Sequence, residues 1–331
     1  MVASSTMPPR IKDSSVMRAF AVDSFGATGS VHKLPVPEPA EGEVLVRVHA
    51  AGVNVMDPIF TGGWVKDYME HRFPLVPGID VSGVVEAIGP GVADFRVGDE
   101  VFGVSSKPFA GAGTFAEYAT LPASGLARKP ADLSHSEAAA LPHAALTALA
   151  AIDAADPQSG QVVLLVGAAG GVGTIVSQLA AQRGARVVAV TSTASAEHAR
   201  SFGASETVDY SAGDAVNELK KRYPDGVDAL IDLHSDAEDF ARYASLVRPG
   251  GVAVSTRGPA GAAAPQIESR GVKFVAANRA APDRLAEISK AVDAGKLRVP
   301  PIKTFSLDEA PLAITEMANG HVQGKLVIAV R

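Results

Sequence analysis

Residues 162–173 read VVLLVGAAGGVG, five apolar residues running straight into a stretch dominated by glycine. Gly167, Gly170 and Gly173 recur at a spacing of three. Behind them Val172, Ile175, Val176 and Leu179 stand at i, i+3, i+4 and i+7, the spacing of an amphipathic helix. Gly184 falls where that helix should stop. The stretch therefore predicts a buried strand, a tight loop and a helix N-terminus. Free N–H groups and the positive end of the helix dipole favour an anion there. Missing Cβ atoms let a pyrophosphate approach the backbone, and let helix and strand pack closely. A tight turn without a ligand is the plainer alternative. Strand, loop, helix and next strand are all in the order that dinucleotide binding requires.

Outward from this stretch the chain has two styles. After about residue 144, apolar strands VVLLV, RVVAV, ALIDL, GVAVS and VKFVA alternate with helical segments. That alternation predicts an α/β fold with a doubly wound parallel sheet. PDRLAEISKAVDAG then reads as a helix, with Leu285, Ile288 and Val292 near helical spacing. From Met17 to about residue 125 the pattern is short strands and turns. EVLVRVHAAGV sets Val44, Val46 and Val48 on one side of a strand, and DVSGVVEAIGPGV, DEVFGV and GTFAEYATLP repeat the theme. An antiparallel barrel or sandwich is expected there. The last strand, KLVIAV, is a candidate to return to this first region.

The 331 residues are 47% hydrophobic, enough for a large core and for two domains. Net charge is −6, and neither sign forms long blocks, which argues against nucleic-acid and anionic-membrane partners. There are no cysteines, which excludes disulfides, thiolate metal sites and a cysteine nucleophile, and fits a cytoplasmic protein. Residues 1–16 are rich in Ser and Pro, read as a flexible tail, and lack an apolar run of signal-peptide length. No run reaches the ~18 apolar residues of a membrane span.

The type of dinucleotide is read at the end of the next strand. An NAD site usually has Asp or Glu about 20 residues downstream, on the ribose diol. Here VVAVTSTAS carries no acid, and Glu197 lies beyond it. Ser192, Thr193 and Ser195 can donate to phosphate oxygens, which favours NADPH. Ser195 is equally a simple helix cap.

The motifs AAGVNVMD, PLVPGIDVSGVVEAIGPGV, FRVGDEVFG, GTFAEY, ALPHAALTA, VGAAGGVG and GKLVIAV follow one another along the chain. On these the chain resembles the zinc-independent medium-chain dehydrogenase/reductases, the quinone oxidoreductase (zeta-crystallin-like) branch. The resemblance implies a Rossmann domain at 144–275 inserted in a GroES-like domain at 17–143 and 276–331. It also implies a cleft between them, NADPH as hydride donor, and a homodimer. Zinc relatives carry Cys at the AAGVN turn and His-Glu at the PGID turn. This chain has Asn54 near the first and Ile79 and Asp80 in the second, and no spaced histidine ligands, so no metal is expected.

Several site residues follow from the resemblance. Gly167, Ala168, Gly170, Gly171, Val172 and Gly173 form the pyrophosphate loop. Asn54 and Asp57 match the family's N-x-x-D near the nicotinamide. Asn54 either holds the nicotinamide ribose, donates to a substrate oxygen, or caps a turn; Asp57 reads as structural. Thr147 matches the threonine beside the nicotinamide, or bonds backward to a helix carbonyl. Tyr210 matches a tyrosine at the adenosine-phosphate end, or is a plain surface residue. Lys325 matches a lysine returning towards the cofactor, or is a solvated surface group. The tyrosine that several members carry after N-x-x-D is missing. Trp64, Tyr68 and His71 are candidates for an aromatic rim to the cleft, or belong to a surface loop with a partly buried tryptophan. The implied reaction is hydride transfer to a quinone or activated alkene, with Asn54 as first candidate donor to the developing oxyanion. A pathway-specific enoyl or ketone reductase, and a cofactor-binding protein with little turnover, are the alternatives.

Overall fold

The computed structural model describes residues 16–257 and 271–331. The tail expected at 1–16 thus lies outside the described residues except for Val16, which opens the first strand.

The N-terminal region contains β1 (Val16–Ala21), β2 (Ser30–Pro35), β3 (Glu43–Gly52), α1 (Met56–Thr61) and β4 (Glu70–Val76). It continues with β5 (Asp80–Ile88), β6 (Glu100–Val104), β7 (Phe109–Ala112), β8 (Tyr118–Pro122) and β9 (Leu126–Arg128). Helices α2 (His135–Ala139) and α3 (Pro142–Ala155) lead into the second region. There β10 (Val162–Val166), α4 (Gly171–Gln182), β11 (Arg186–Thr191), α5 (Ala196–Ser201) and β12 (Ala204–Asp209) alternate. They are followed by α6 (Ala215–Arg222), β13 (Val227–Asp232), α7 (Ala237–Ala244), β14 (Val247–Ser255) and β15 (Val272–Phe274). The chain ends with α8 (Pro282–Asp293), β16 (Ile302–Ser306), α9 (Ala310–Asn319) and β17 (Lys325–Ala329).

β3 is the hub of the first region. It pairs antiparallel with β5, β8 and β17, so the last strand does return to the first region. Val44, Val46 and Val48 pack with Val81, Val85, Val101 and Leu121 in one apolar cluster. Leu45 is fully buried too, because β3 is covered on both faces rather than on one.

The second region is a parallel six-stranded sheet in the order β12-β11-β10-β13-β14-β15. Strand order reverses at β10, whose neighbours are β11 and β13. In a doubly wound sheet the crevice at the carboxyl ends of these strands is the ligand site. α4 follows β10 as the sequence predicts, with Ile175 and Val176 buried, and Gly184 just past its end adopts φ +78°. α8 buries Leu285 and Ile288. A single core cluster runs from Phe20 through Leu165 and Ile288 to Ile328, joining the two regions. Among the described residues no helix is long and apolar enough to cross a membrane.

Candidate active site

The four glycines of the loop have four different reasons to be bare. Gly167 sits at φ +82°, a left-handed conformation that suits glycine. A Cβ on Gly173 would lie 2.2 Å from the Gly167 carbonyl oxygen, so this glycine lets α4 pack on the loop. A Cβ on Gly171 would strike the aliphatic stem of Lys325 at 2.5 Å. Gly170 caps α4 in an extended conformation, and a Cβ there would find nothing nearer than 3.7 Å. No neighbour and no backbone angle requires glycine at 170. The space beside it adjoins the helix N-terminus, whose first amides have no acceptor within the helix. This is a cradle a Cβ would fill, and it fits the pyrophosphate of a dinucleotide. Ala168 is buried and Val172 half-buried in the core beneath.

The loop is tied to the C-terminal chain. Gly170 and Gly324 form a parallel bridge, and the Gly324 N–H donates to the Ala169 carbonyl at 2.9 Å. This delivers Lys325 under the loop. Its ammonium donates to Asn54 Oδ1 at 2.7 Å and to the Val53 carbonyl at 2.9 Å, and lies 3.5 Å from Asp80 Oδ2. The reading of Lys325 as a solvated lysine is thereby corrected: it is 5% exposed. Asn54 in turn donates from Nδ2 to Asp80 Oδ2 at 2.9 Å and to the Gly52 carbonyl at 3.3 Å. Both amide hydrogens are engaged inside the protein, so Asn54 presents no free donor to a substrate oxygen. Its acceptor must face the ammonium and its donor the carboxylate, which fixes the orientation of the amide.

Asp80 Oδ1 accepts the His143 N–H at 2.9 Å, at the start of α3. One turn on, Thr147 Oγ1 donates to the His143 carbonyl at 2.7 Å, the backward bond typical of helix threonines. Asp57 is fully buried and accepts the Asn54 N–H at 2.7 Å and the Gly78 N–H at 2.9 Å, which locks the N-x-x-D turn onto the PGID turn. Burial pushes its carboxyl up to about 7, against the two amide donors. Burial also raises Asp80 and lowers Lys325, while each partly holds the other charged. His143 is pushed down to about 3 by burial, with the Lys325 and Arg279 charges adding to the effect. Its Nδ1 is buried without a hydrogen-bond partner among the described residues.

The adenosine end differs from expectation in one respect. Ser192 and Thr193 do follow β11, and the Tyr210 N–H donates to the Thr191 carbonyl with its ring 45% exposed. Ser195 occupies the cap position of α5 but makes no side-chain capping bond, and Ser192 Oγ lies 3.4 Å from its hydroxyl. An acid is present after all. Parallel pairing sets Asp209 of β12 beside Thr191, and Thr193 Oγ1 donates to Asp209 Oδ2. Hydrogen bonds from Ser211 and Thr193 hold this carboxylate down at about 2, hence charged. The segment after α1 also separates: Trp64 and Tyr68 are 81% and 89% exposed, whereas His71 packs against Phe25 and Phe60.

A human protein named NAD(P)H oxidoreductase RTN4IP1, mitochondrial, is 33% identical across 98% of this chain and 91% of its own length. The chain belongs to the medium-chain dehydrogenase/reductase superfamily, in its quinone oxidoreductase branch. Residues 40–131 match the family described as Alcohol dehydrogenase GroES-like domain, and residues 202–328 the one described as Zinc-binding dehydrogenase. The quinone oxidoreductase from Coxiella burnetii superposes with a TM-score of 0.86 at 30% identity, covering 96% of this chain and all of the other. An Arabidopsis thaliana protein named NADPH-dependent alkenal/one oxidoreductase, chloroplastic, is 31% identical over 94% of this chain and 79% of its own. The superfamily assignment makes this chain an oxidoreductase that uses a nicotinamide cofactor.

Sequence reasoning missed two members of this dehydrogenase site. Asp232 ends β13 at the switch point; its Oδ1 accepts the His234 and Ser235 amides, while Oδ2 is buried without a hydrogen-bond partner among the described residues. The acid closing the strand ALIDL was its only signal. Asp80 was noted for not being a zinc ligand, and its role as partner of Lys325 has no local signal.

Proposed function

We propose that this chain is an NADPH-dependent, zinc-independent reductase of quinones or α,β-unsaturated carbonyls. The observation that carries the reading is the uncrowded Cβ position of Gly170 at the N-terminus of α4, where neither packing nor backbone angle calls for glycine. When bound, the reduced nicotinamide supplies the hydride. The chain's residues bind and orient. The Gly170 loop and α4 amides receive the pyrophosphate, and the Lys325–Asn54–Asp80 cluster holds that loop against the first region. Thr147 already donates its proton backward, so it serves a ligand as an acceptor, suited to an amide N–H. The pocket beside Gly78 and Ile79, with Phe60, Met69 and Phe109 in its walls, is the candidate place for the substrate.

Zinc independence is supported by the donor set. There is no cysteine, and Asp80 already faces an ammonium ion. NADPH is supported by the hydroxyls of Ser192 and Thr193 and by the Arabidopsis relative's name. Charged Asp209 favours NADH instead, because it would repel a 2′-phosphate. The reading keeps a homodimer in the cytoplasm, tested by light scattering and cell fractionation.

The test is oxidation of NADPH followed by absorbance, with 1,4-benzoquinone and with a simple enone, before and after chelator treatment. Turnover that survives chelation is expected. Turnover restored only by zinc removes the metal-free reading, and none with any quinone or enone removes the reductase reading. In parallel, Gly170→Val should stay folded and lose NADPH binding; a folded variant that binds normally would make the loop only a turn.

A further inference from the structure

A small pocket, open to solvent on one side, lies between α1, β4, β7 and the PGID turn. Phe60, Met69, Val76, Ile79 and Phe109 make its walls apolar. Three polar side chains line it: Ser105, Lys107 and Arg279. Lys107 is already engaged, with its ammonium 2.6 Å from Thr120 Oγ1 and 3.2 Å from Glu43. Arg72, stacked over Phe109, pairs with Glu70.

Arg279 is different. It stands in the loop before α8, where bare Gly125 lets the Arg279 carbonyl approach the edge of the first region. Its side chain is half-buried. Among the described residues, its guanidinium makes no hydrogen bond, ion pair or ring contact, and the Ser105 hydroxyl makes no hydrogen bond. Among the described residues, Asp80 is the acid whose charge acts on it. Both Asp80 oxygens are already held by the His143 amide, Asn54 and Lys325. Asp80 therefore supplies a background field and no direct contact. A guanidinium cannot shed its proton to escape such a site. A partly desolvated cation with five donors and no acceptor is uncompensated until an anion arrives, and a carboxylate matches its fork in a bidentate pair.

We propose that Arg279, helped by Ser105, receives a carboxylate on the substrate, so that the preferred substrates are α,β-unsaturated carbonyl acids. This rests on the reductase reading and narrows it: neutral quinones and alkenals would leave Arg279 unpaired. The apolar walls then hold the short carbon chain between the carboxylate and the reacting alkene. The same pairing makes Arg279 a specificity-determining residue and assigns it no part in the chemical step.

The test uses the full chain and two matched pairs. 4-Oxopent-2-enoate and pent-3-en-2-one are a reactive acid and its neutral counterpart, and 4-oxopentanoate and 2-pentanone are their unreactive equivalents. Wild type should bind 4-oxopentanoate about tenfold or more tighter than 2-pentanone by calorimetry, and show a similar preference in kcat/KM. Arg279→Met should abolish both preferences through the acid alone. NADPH affinity, melting temperature and kcat/KM for the neutral enone should hold, and Arg279→Lys should recover part of the preference. Equal binding of the acid and neutral ligands by wild type overturns the proposal, as does a preference that Arg279→Met retains. Acid binding through Arg279 without turnover of either enone or of 1,4-benzoquinone would sink the reductase reading and leave the anion site standing. Turnover of both enones, unchanged in Arg279→Met, would do the reverse.

Discussion

Two polar regions meet at the glycine loop and are built on opposite principles. Below it, Lys325, Asn54, Asp80 and Asp57 form a sealed cluster in which every described hydrogen bond ends on another member or on nearby backbone. Around the glycine loop and the pocket, a Cβ on Gly170 would meet nothing nearer than 3.7 Å, and among the described residues His143 Nδ1 and Asp232 Oδ2 are buried without hydrogen-bond partners and Arg279 has no acid in contact. Buried groups whose bonds close on one another are architecture. The groups left open are where a ligand would complete the bonding. The contrast also separates glycines three residues apart, since Gly173 serves packing and Gly170 serves whatever approaches it.

The largest effect should come from opening the sealed cluster. Lys325→Met leaves Asp80 buried opposite no cation, and such a break costs about 3–5 kcal/mol. Urea denaturation checks it, and adding Asp80→Asn should recover much of the loss. A Lys325→Met protein of unchanged stability would mean the cluster is not structural. Gly173→Val should act similarly, because its Cβ meets the Gly167 carbonyl at 2.2 Å. Overpacking of this kind costs about 1–3 kcal/mol or more. The informative comparison is with Gly170→Val, which should melt like wild type and lose NADPH. If both valines destabilise alike, the distinction between the two glycines fails.

Asp57 tests the same boundary through pH. Its folded pKa, about 7, lies above the unfolded value near 3.8. The folded state therefore binds the extra proton across that window. Its contribution to stability is full below pH ~4 and is lost as pH rises through about 7. Asp57→Asn keeps the shape but turns an amide N–H₂ towards one of two backbone donors, an unmet bond worth about 1–3 kcal/mol. The stability difference between wild type and variant should shrink from pH 5 to pH 8. A difference that stays flat between pH 5 and pH 8 would mean that the two amides hold the carboxylate ionised.

The strand–glycine–helix unit was legible because all its information is local: an apolar run, a glycine spacing and a helical period within 23 residues. The β-rich region was legible from alternation and turn residues. Contacts set by pairing between distant segments were not. Lys325 and Asn54 are 271 residues apart and meet only because β17 pairs with β3. Asp209 reaches Thr193 through the register of β11 on β12, so a reading that looks only at the residues after β11 finds no acid. Arg279 sits in a loop with no motif, and only the cavity beside it gives it meaning. The choice among the roles offered for Asn54 needed its partners, since turn cap and substrate donor look identical in AAGVN.

The smallest expected effect lies at the open adenosine edge, where hydroxyls and Asp209 pull in opposite directions. If Ser192 and Thr193 dominate, NADPH should bind at least tenfold tighter than NADH, about 1.4 kcal/mol. Asp209 is then an obstacle that the site tolerates. Its oxygens already accept from Thr193 and Ser211, so Asp209→Asn should keep the turn while removing the charge. The variant should bind NADPH about two- to fivefold tighter at low salt, with the gain fading as salt screens the surface, and NADH should be unaffected. If Asp209 instead accepts from a ribose diol, the substitution should weaken NADH, and wild type should prefer NADH from the start. Calorimetric titration of both cofactors into both proteins at two salt concentrations separates these outcomes. Equal affinities in wild type, unmoved by the substitution, would take the edge between β11 and β12 out of cofactor selection altogether.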